Sequence, residues 1–389
     1  MIQLLACALG SVATPFSQDL GPYKERTSLK AQERDLREGT VYYNLACRRF
    51  GLVEMGILSS QCHFLAGVYN MYTMRPLVAW SHFQSATKAY HLHLQCQTRR
   101  LPATVDSPLK TSQCRNLEQR LYWSCYKSEC ELRAEMNLPN SSLVDVHNAN
   151  IHPSPPVINA DDMGPSLDDG SLLSRANART PSTTHHQKEQ TWFYYLTEIT
   201  LRRIANRVLN ILYPGDHTTW TEEAVLSMVN AVESFEQQLD EWWATLPAPI
   251  RFESASTLNG ELPYHTSSRI LQIKLWIYIP FLYYIIHTPA TAIPHECVWG
   301  FADKALSVSE ALICYAPTAH RHHGTWYSIQ QSISCCLFII GAVRHGGIPV
   351  PKDWRQGVEA TITRMRYWED EGPGVSRGIQ VLTTYLSDV

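Results

Sequence analysis

The sequence has no surplus of charge: 33 Lys and Arg face 36 Asp and Glu, a formal net charge of −3 over 389 residues. That balance excludes the cationic field that nucleic-acid binders carry, and with it any strong pull toward anionic membranes. The eleven cysteines contain no C-x2-C pair, so zinc fingers and binuclear zinc clusters are excluded. They are scattered, odd in number and mostly in apolar context, which fits free thiols in a reducing compartment. There is no G-x-S-x-G elbow, no phosphate-cradling glycine loop and no dinucleotide fingerprint. Hydrolase, kinase and dehydrogenase readings therefore have no footing. Alternating strand patterns are missing too.

What remains is helical periodicity. The spacing predicts helices over roughly 2–13, 38–53, 57–72, 76–95, 114–136, 191–213, 220–245, 266–290, 299–315, 325–344 and 354–385. Residues 137–190 carry six prolines among many Ser, Asn, Asp and His, a composition that makes a connection rather than packed structure. The expectation is an all-α fold: a single multi-helix domain over 1–389, with a long Pro/Ser/Asp-rich loop at 137–190 between two helical halves. The opening MIQLLACALGSVATPFS lacks a basic residue ahead of its apolar run, so it reads as a first core helix and not as a signal peptide. The apolar run Leu275–Ile286 spans twelve residues and contains Pro280, too short for a bilayer. A cytoplasmic protein without a membrane segment is expected.

Three constellations could carry chemistry. In QRLYWSCYKSECELRAEMNLP (119–139), Lys127, Glu131 and Glu135 follow at four-residue steps, and Glu129 falls on the more apolar side. This is either a solvated charged face with one buried salt bridge or a carboxylate cluster that faces a cavity and holds a hard cation such as Mg2+. In TWFYYLTEITLRRIANRVLNILY (191–213), Glu198, Arg202 and Asn206 also step by four and share one stripe. They form an ion pair with a polar cap, or two metal ligands around a diphosphate-binding guanidinium. In NADDMGPSLDDG (159–170), Gly164 and Pro165 break the helix that an aspartate-rich metal motif requires. It reads as an acidic loop, from which Asp161 or Asp162 could still fold over a site. The histidines of YHLHLQ and AHRHHG (His91, His93, His320, His322, His323) would need further metal ligands that the sequence does not identify.

The stretch RILQIKLWIYIPFLYYIIH (269–287) is almost wholly apolar around Lys274. A buried ammonium needs a partner: a protein carboxylate, solvent or an anionic ligand. Together with ALGSVA, LAGVYNMYTMRPLVAW (65–80), YWSCYKSECELRAEMNLP (122–139), HPSPP (152–156), FYYLTEITLRRIANRV (193–208) and KLWIYIPFLYYIIHTP (274–289), this stretch resembles the middle homology region of fungal zinc-cluster transcription factors. The resemblance covers nearly the whole chain and implies an all-helical regulatory fold. The basic six-cysteine cluster of such factors is missing here, as though the DNA-binding half were lost or the sequence were a fragment. In this the chain resembles stand-alone fungal non-canonical sesquiterpene cyclases that make humulene.

That likeness implies farnesyl diphosphate as substrate, Mg2+ as cofactor and an essential lysine, which by context is Lys274. The site expected on this reading has Lys274 as the catalytic residue. Arg202, Ile270, Trp276, Tyr278 and Phe281 contact the substrate, and Glu129, Glu198 and Asn206 hold the metal. The alternative is a non-catalytic regulatory domain, nuclear instead of cytoplasmic, in which Lys274 is bridged to an internal carboxylate such as Glu129 or Glu198. Neither reading expects nucleic acid as a partner of this chain.

Overall fold

The computed structural model describes residues 1–14, 26–99, 108–139, 181–215, 217–247, 250–251, 261–289, 294–315 and 320–389. Their regular structure is all helical. Five helices come first: α1 (Ile2–Val12), α2 (Arg26–Cys47), α3 (Ile57–Tyr72), α4 (Pro76–Arg99) and α5 (Pro108–Met136). Seven follow: α6 (Pro181–Leu212), α7 (Glu222–Ala244), α8 (Glu261–His287), α9 (Glu296–Tyr315), α10 (Thr325–His345), α11 (Trp354–Met365) and α12 (Pro373–Ser387). Asp161, Asp162 and the rest of 140–180 lie outside the described residues, as does the HPSPP stretch.

Several boundaries depart from the periodic reading. Helix α6 begins at Pro181 and not near 191, so the connection ends earlier than expected. Proline suits the first helical position, where its missing N–H costs nothing. The expected single helix over 354–385 is two: Arg366–Glu371 tighten into a 3-10 turn, and Gly372 then leads into Pro373, which starts α12. Two residues in the left-handed region mark clean helix ends, Asn137 (φ 49°) after α5 and Gly346 (φ 73°) after α10.

The largest core is built by α6–α12, with Leu201, Leu239, Phe281, Ala305, Ile339 and Leu382 all at or near full burial. A fully buried side chain of this size contributes about 1.5–3 kcal/mol. Smaller clusters join α1–α3 and α3–α5. Helices α3 and α4 approach so closely at Gly67 that a Cβ there would lie 2.4 Å from the Phe83 ring. Helices α8 and α10 are long and apolar enough to cross a membrane, contrary to the twelve-residue limit expected for the first. Both pack into the main core.

Pro280 sits inside α8 without ending it. It has no N–H for the carbonyl of Trp276, one turn back. That carbonyl accepts instead from the Tyr213 hydroxyl, 2.6 Å away, at the end of α6. The halves of the molecule are tied by Arg321, which is 1% exposed. Its guanidinium pairs with Glu371, donates to the Tyr72 carbonyl at 2.9 Å, and stacks 4.9 Å from the Trp368 ring.

Candidate anion-binding cavity

A cavity of about 180 Å³ opens among α5, α6, α8 and the start of α10. Helix α8 supplies one stripe of it, at helical spacing: Leu262, His265, Thr266, Arg269 and Gln272. Lys127 comes from α5, Tyr194 and Glu198 from α6, and His322, His323, Tyr327 and Gln331 from the α10 end.

Behind this wall lies a charged network. Lys127 Nζ is 2.7 Å from Glu198 and 3.9 Å from Glu131. Arg202 Nη2 reaches Glu131 at 3.2 Å, Arg269 pairs with the same carboxylate, and Arg269 Nε lies 3.9 Å from Glu198. Burial opposes ionisation of Glu131, but Arg269, Lys127 and Arg202 outweigh it and hold the carboxyl down to about 2. Glu198 is likewise held at about 2, burial being overcome by Lys127 and Arg269. Glu135 receives a bond from Gln272 Nε2 at 3.3 Å, yet its burial pushes the carboxyl up to about 7. Three permanent cations thus face two ionised carboxylates and a third that is largely protonated below neutrality.

The unsatisfied groups point the same way. Among the described residues, Arg202 Nε and Nη1 and Gln331 Nε2 are buried without a hydrogen-bond partner. His322 Nδ1 accepts from the Gly324 N–H at 3.0 Å, so its other nitrogen, Nε2, carries the proton, and it too lacks a partner. Burial holds His322 and His323 well below their ordinary range and therefore neutral. A buried unpaired donor costs about 1–3 kcal/mol. Of these, His322 Nε2 and Gln331 Nε2 belong to the cavity wall and are donors, while Arg202 stands behind the wall, so the cavity suits an acceptor-rich, negatively charged ligand.

Of the nine residues expected to form the site, Glu198 lines the cavity and Arg202 joins the network behind it, and the other seven do not. The candidates Lys127, Glu131, His322 and His323 do meet here. Lys274 projects from α8 toward α7, where its ammonium is 3.7 Å from Asp240. Asp240 is 74% exposed, so the partner is a surface carboxylate and neither Glu129 nor Glu198. Ile270 and Trp276 pack against the main core. Phe281 is fully buried on Phe301, ring centres 4.7 Å apart, and the Tyr278 hydroxyl donates to Glu236. None of these four lines the cavity.

The expected magnesium ligands diverge as well. Glu129 is buried beside Thr87 and Lys88 of α4, and Asn206 donates to the Tyr126 hydroxyl at 2.9 Å and to the Cys130 sulfur. Glu198 is held by Lys127. These three do not fit a common Mg2+ ion.

In the sequence, the polar stripe of His265, Arg269 and Gln272 is masked by the apolar density from 269 onward. The available signal was the four-residue step Glu261–His265–Arg269 just ahead of it. No family model, curated protein or solved structure matches the chain.

Proposed function

We propose that the chain is a sesquiterpene cyclase that takes the diphosphate of farnesyl diphosphate into the cavity between α5, α6, α8 and α10. One observation carries this reading: the partnerless buried atoms of His322 and Gln331 on the cavity wall are donors, beside a network with more cations than ionised carboxylates. A diphosphate supplies the acceptors and the charge.

In the reaction the allylic C–O bond breaks and its electron pair leaves with the diphosphate. Arg269 and Lys127 on the cavity wall meet the negative charge that grows on the leaving oxygens, with Arg202 adding to the field from behind, in a site preorganised by Glu131 and Glu198. The distal double bond then closes on the allylic cation to an eleven-membered ring. Proton loss to the released diphosphate gives a humulene-type hydrocarbon. Mg2+ enters through the family resemblance alone, and no step here is routed through it.

The test is incubation of the purified protein with farnesyl diphosphate, with and without Mg2+, followed by gas chromatography–mass spectrometry. A sesquiterpene peak that disappears in Arg269→Gln, at unchanged helical circular dichroism, is expected. Lys274→Ala separates geometry from resemblance: its contact with exposed Asp240 predicts retained turnover, and lost turnover returns it to the essential role that the resemblance implies. No hydrocarbon from folded protein overturns the proposal.

The absence of Trp276, Tyr278 and Phe281 from the cavity wall favours a second reading, a regulatory domain that binds an anionic ligand without converting it. Its signature is a raised melting temperature with farnesyl diphosphate and no product. The cyclase reading carries a cytoplasmic location, the regulatory one a nuclear location.

A further inference from the structure

At the edge of the cavity, three side chains unused by the diphosphate reading converge. Glu261 and His265 are one turn apart at the start of α8, and His320 comes from the segment just ahead of α10. Glu261 Oε1 lies 3.2 Å from His320 Nε2 and 3.7 Å from His265 Nε2. All three potential ligand atoms fall within 4.8 Å of one another. Ligand atoms that share one ion at bond lengths of about 2.0–2.2 Å stand roughly 3–3.5 Å apart, so small side-chain rotations complete the geometry.

We propose that Glu261, His265 and His320 form a site for a divalent transition metal of the zinc class. Two imidazole nitrogens and one carboxylate are a donor set that suits zinc and its d-block neighbours, whereas magnesium prefers oxygen alone.

The ligands are held in place by their surroundings. The His322 ring stacks on His320 (5.2 Å, 16°) and lies 4.4 Å from His265. The backbone around His320 is pinned by Thr325, whose hydroxyl accepts from the His322 N–H at 2.9 Å and lies 3.2 Å from the His320 carbonyl. Such surroundings orient a metal-binding histidine. His265 also lines the cavity, so an ion held by the three side chains would lie at the cavity edge.

The experiment titrates metal-free, full-length protein with Zn2+ by calorimetry and with Co2+ by absorption. One ion per chain is expected, with affinity reduced at least about tenfold in both Glu261→Gln and His265→Ala. The Glu261 side chain is 44% exposed, so its replacement leaves the core intact; circular dichroism checks this. Failure of the wild type to take up one equivalent overturns the site, and so does undiminished uptake by both variants. Sulfur-to-cobalt charge-transfer absorption also overturns it, by moving the metal to exposed thiols such as Cys7, Cys96 or Cys314. The readout is metal uptake alone and is independent of whether farnesyl diphosphate is turned over.

Discussion

Glu129 is 2% exposed on α5, and no hydrogen bond reaches either of its carboxyl oxygens. Burial pushes the group up to about 7; Thr87 and Lys88 nearby only moderate that rise. Between about 4.5 and 7 the folded protein therefore keeps a proton that the unfolded chain has released. Stability then falls as pH rises through that interval and levels off above it. Glu129→Gln removes a cost of about 3 kcal/mol at pH 8 and little at pH 5. Urea unfolding at the two pH values checks this, with the variant gaining only at the higher one. Glu131 and Glu198 act oppositely: held near 2, their contribution is full above about 4.5 and is lost as pH falls toward 2. Glu129 was legible as the inward carboxylate, because Cys125 and Leu132 share its side of the helix. The surroundings of Lys274 were not legible: its neighbours Ile273 and Leu275 are buried, but one residue is a rotation of about 100° on a helix, enough to carry its stem out to Asp240.

On the scale of single elements, α8 shows how a proline is accommodated at position 280 of a 27-residue helix. The Tyr213 hydroxyl takes the place of the missing N–H donor to Trp276. Tyr213→Phe leaves that carbonyl partly buried and unsatisfied, and is expected to cost about 1–3 kcal/mol, read as a lower denaturation midpoint with an unchanged helical spectrum. A sequence pattern shows the proline but not its remedy, which comes from another helix 63 residues away. Helix bodies were legible because burial imposes periodicity. Ends such as the start of α6 at Pro181 were not, since the polar run TTHHQKEQ ahead of Thr191 contributes no apolar stripe. The 3-10 turn at Arg366–Glu371 was likewise hidden. It places Trp368 under Arg321 and Glu371 beside it, contacts that arise only once α10 is docked.

Across the whole molecule, Arg321 joins Tyr72 of α3 to Glu371 and Trp368 of the C-terminal segment. Arg321→Ala strands the Glu371 carboxylate and removes the stacked guanidinium. It is expected to lower stability by about 3–5 kcal/mol, measured by chemical unfolding, whereas loss of an exposed pair such as Arg344–Asp388 costs under about 1 kcal/mol. The all-helical class was legible from composition and period, but the site was not, because its residues come from four separate stretches of chain. The position of Arg321 has one more result. Its immediate neighbours are His320 and His322, so three consecutive residues serve as metal ligand, inter-half fastening and cavity wall. An insertion or deletion between His320 and Thr325 would pull Arg321 off Glu371 while it reshaped the cavity. This segment therefore tolerates little length variation, and the cavity is open instead to point changes in the helices that wall it, at positions such as Tyr194, Leu262 and Thr266.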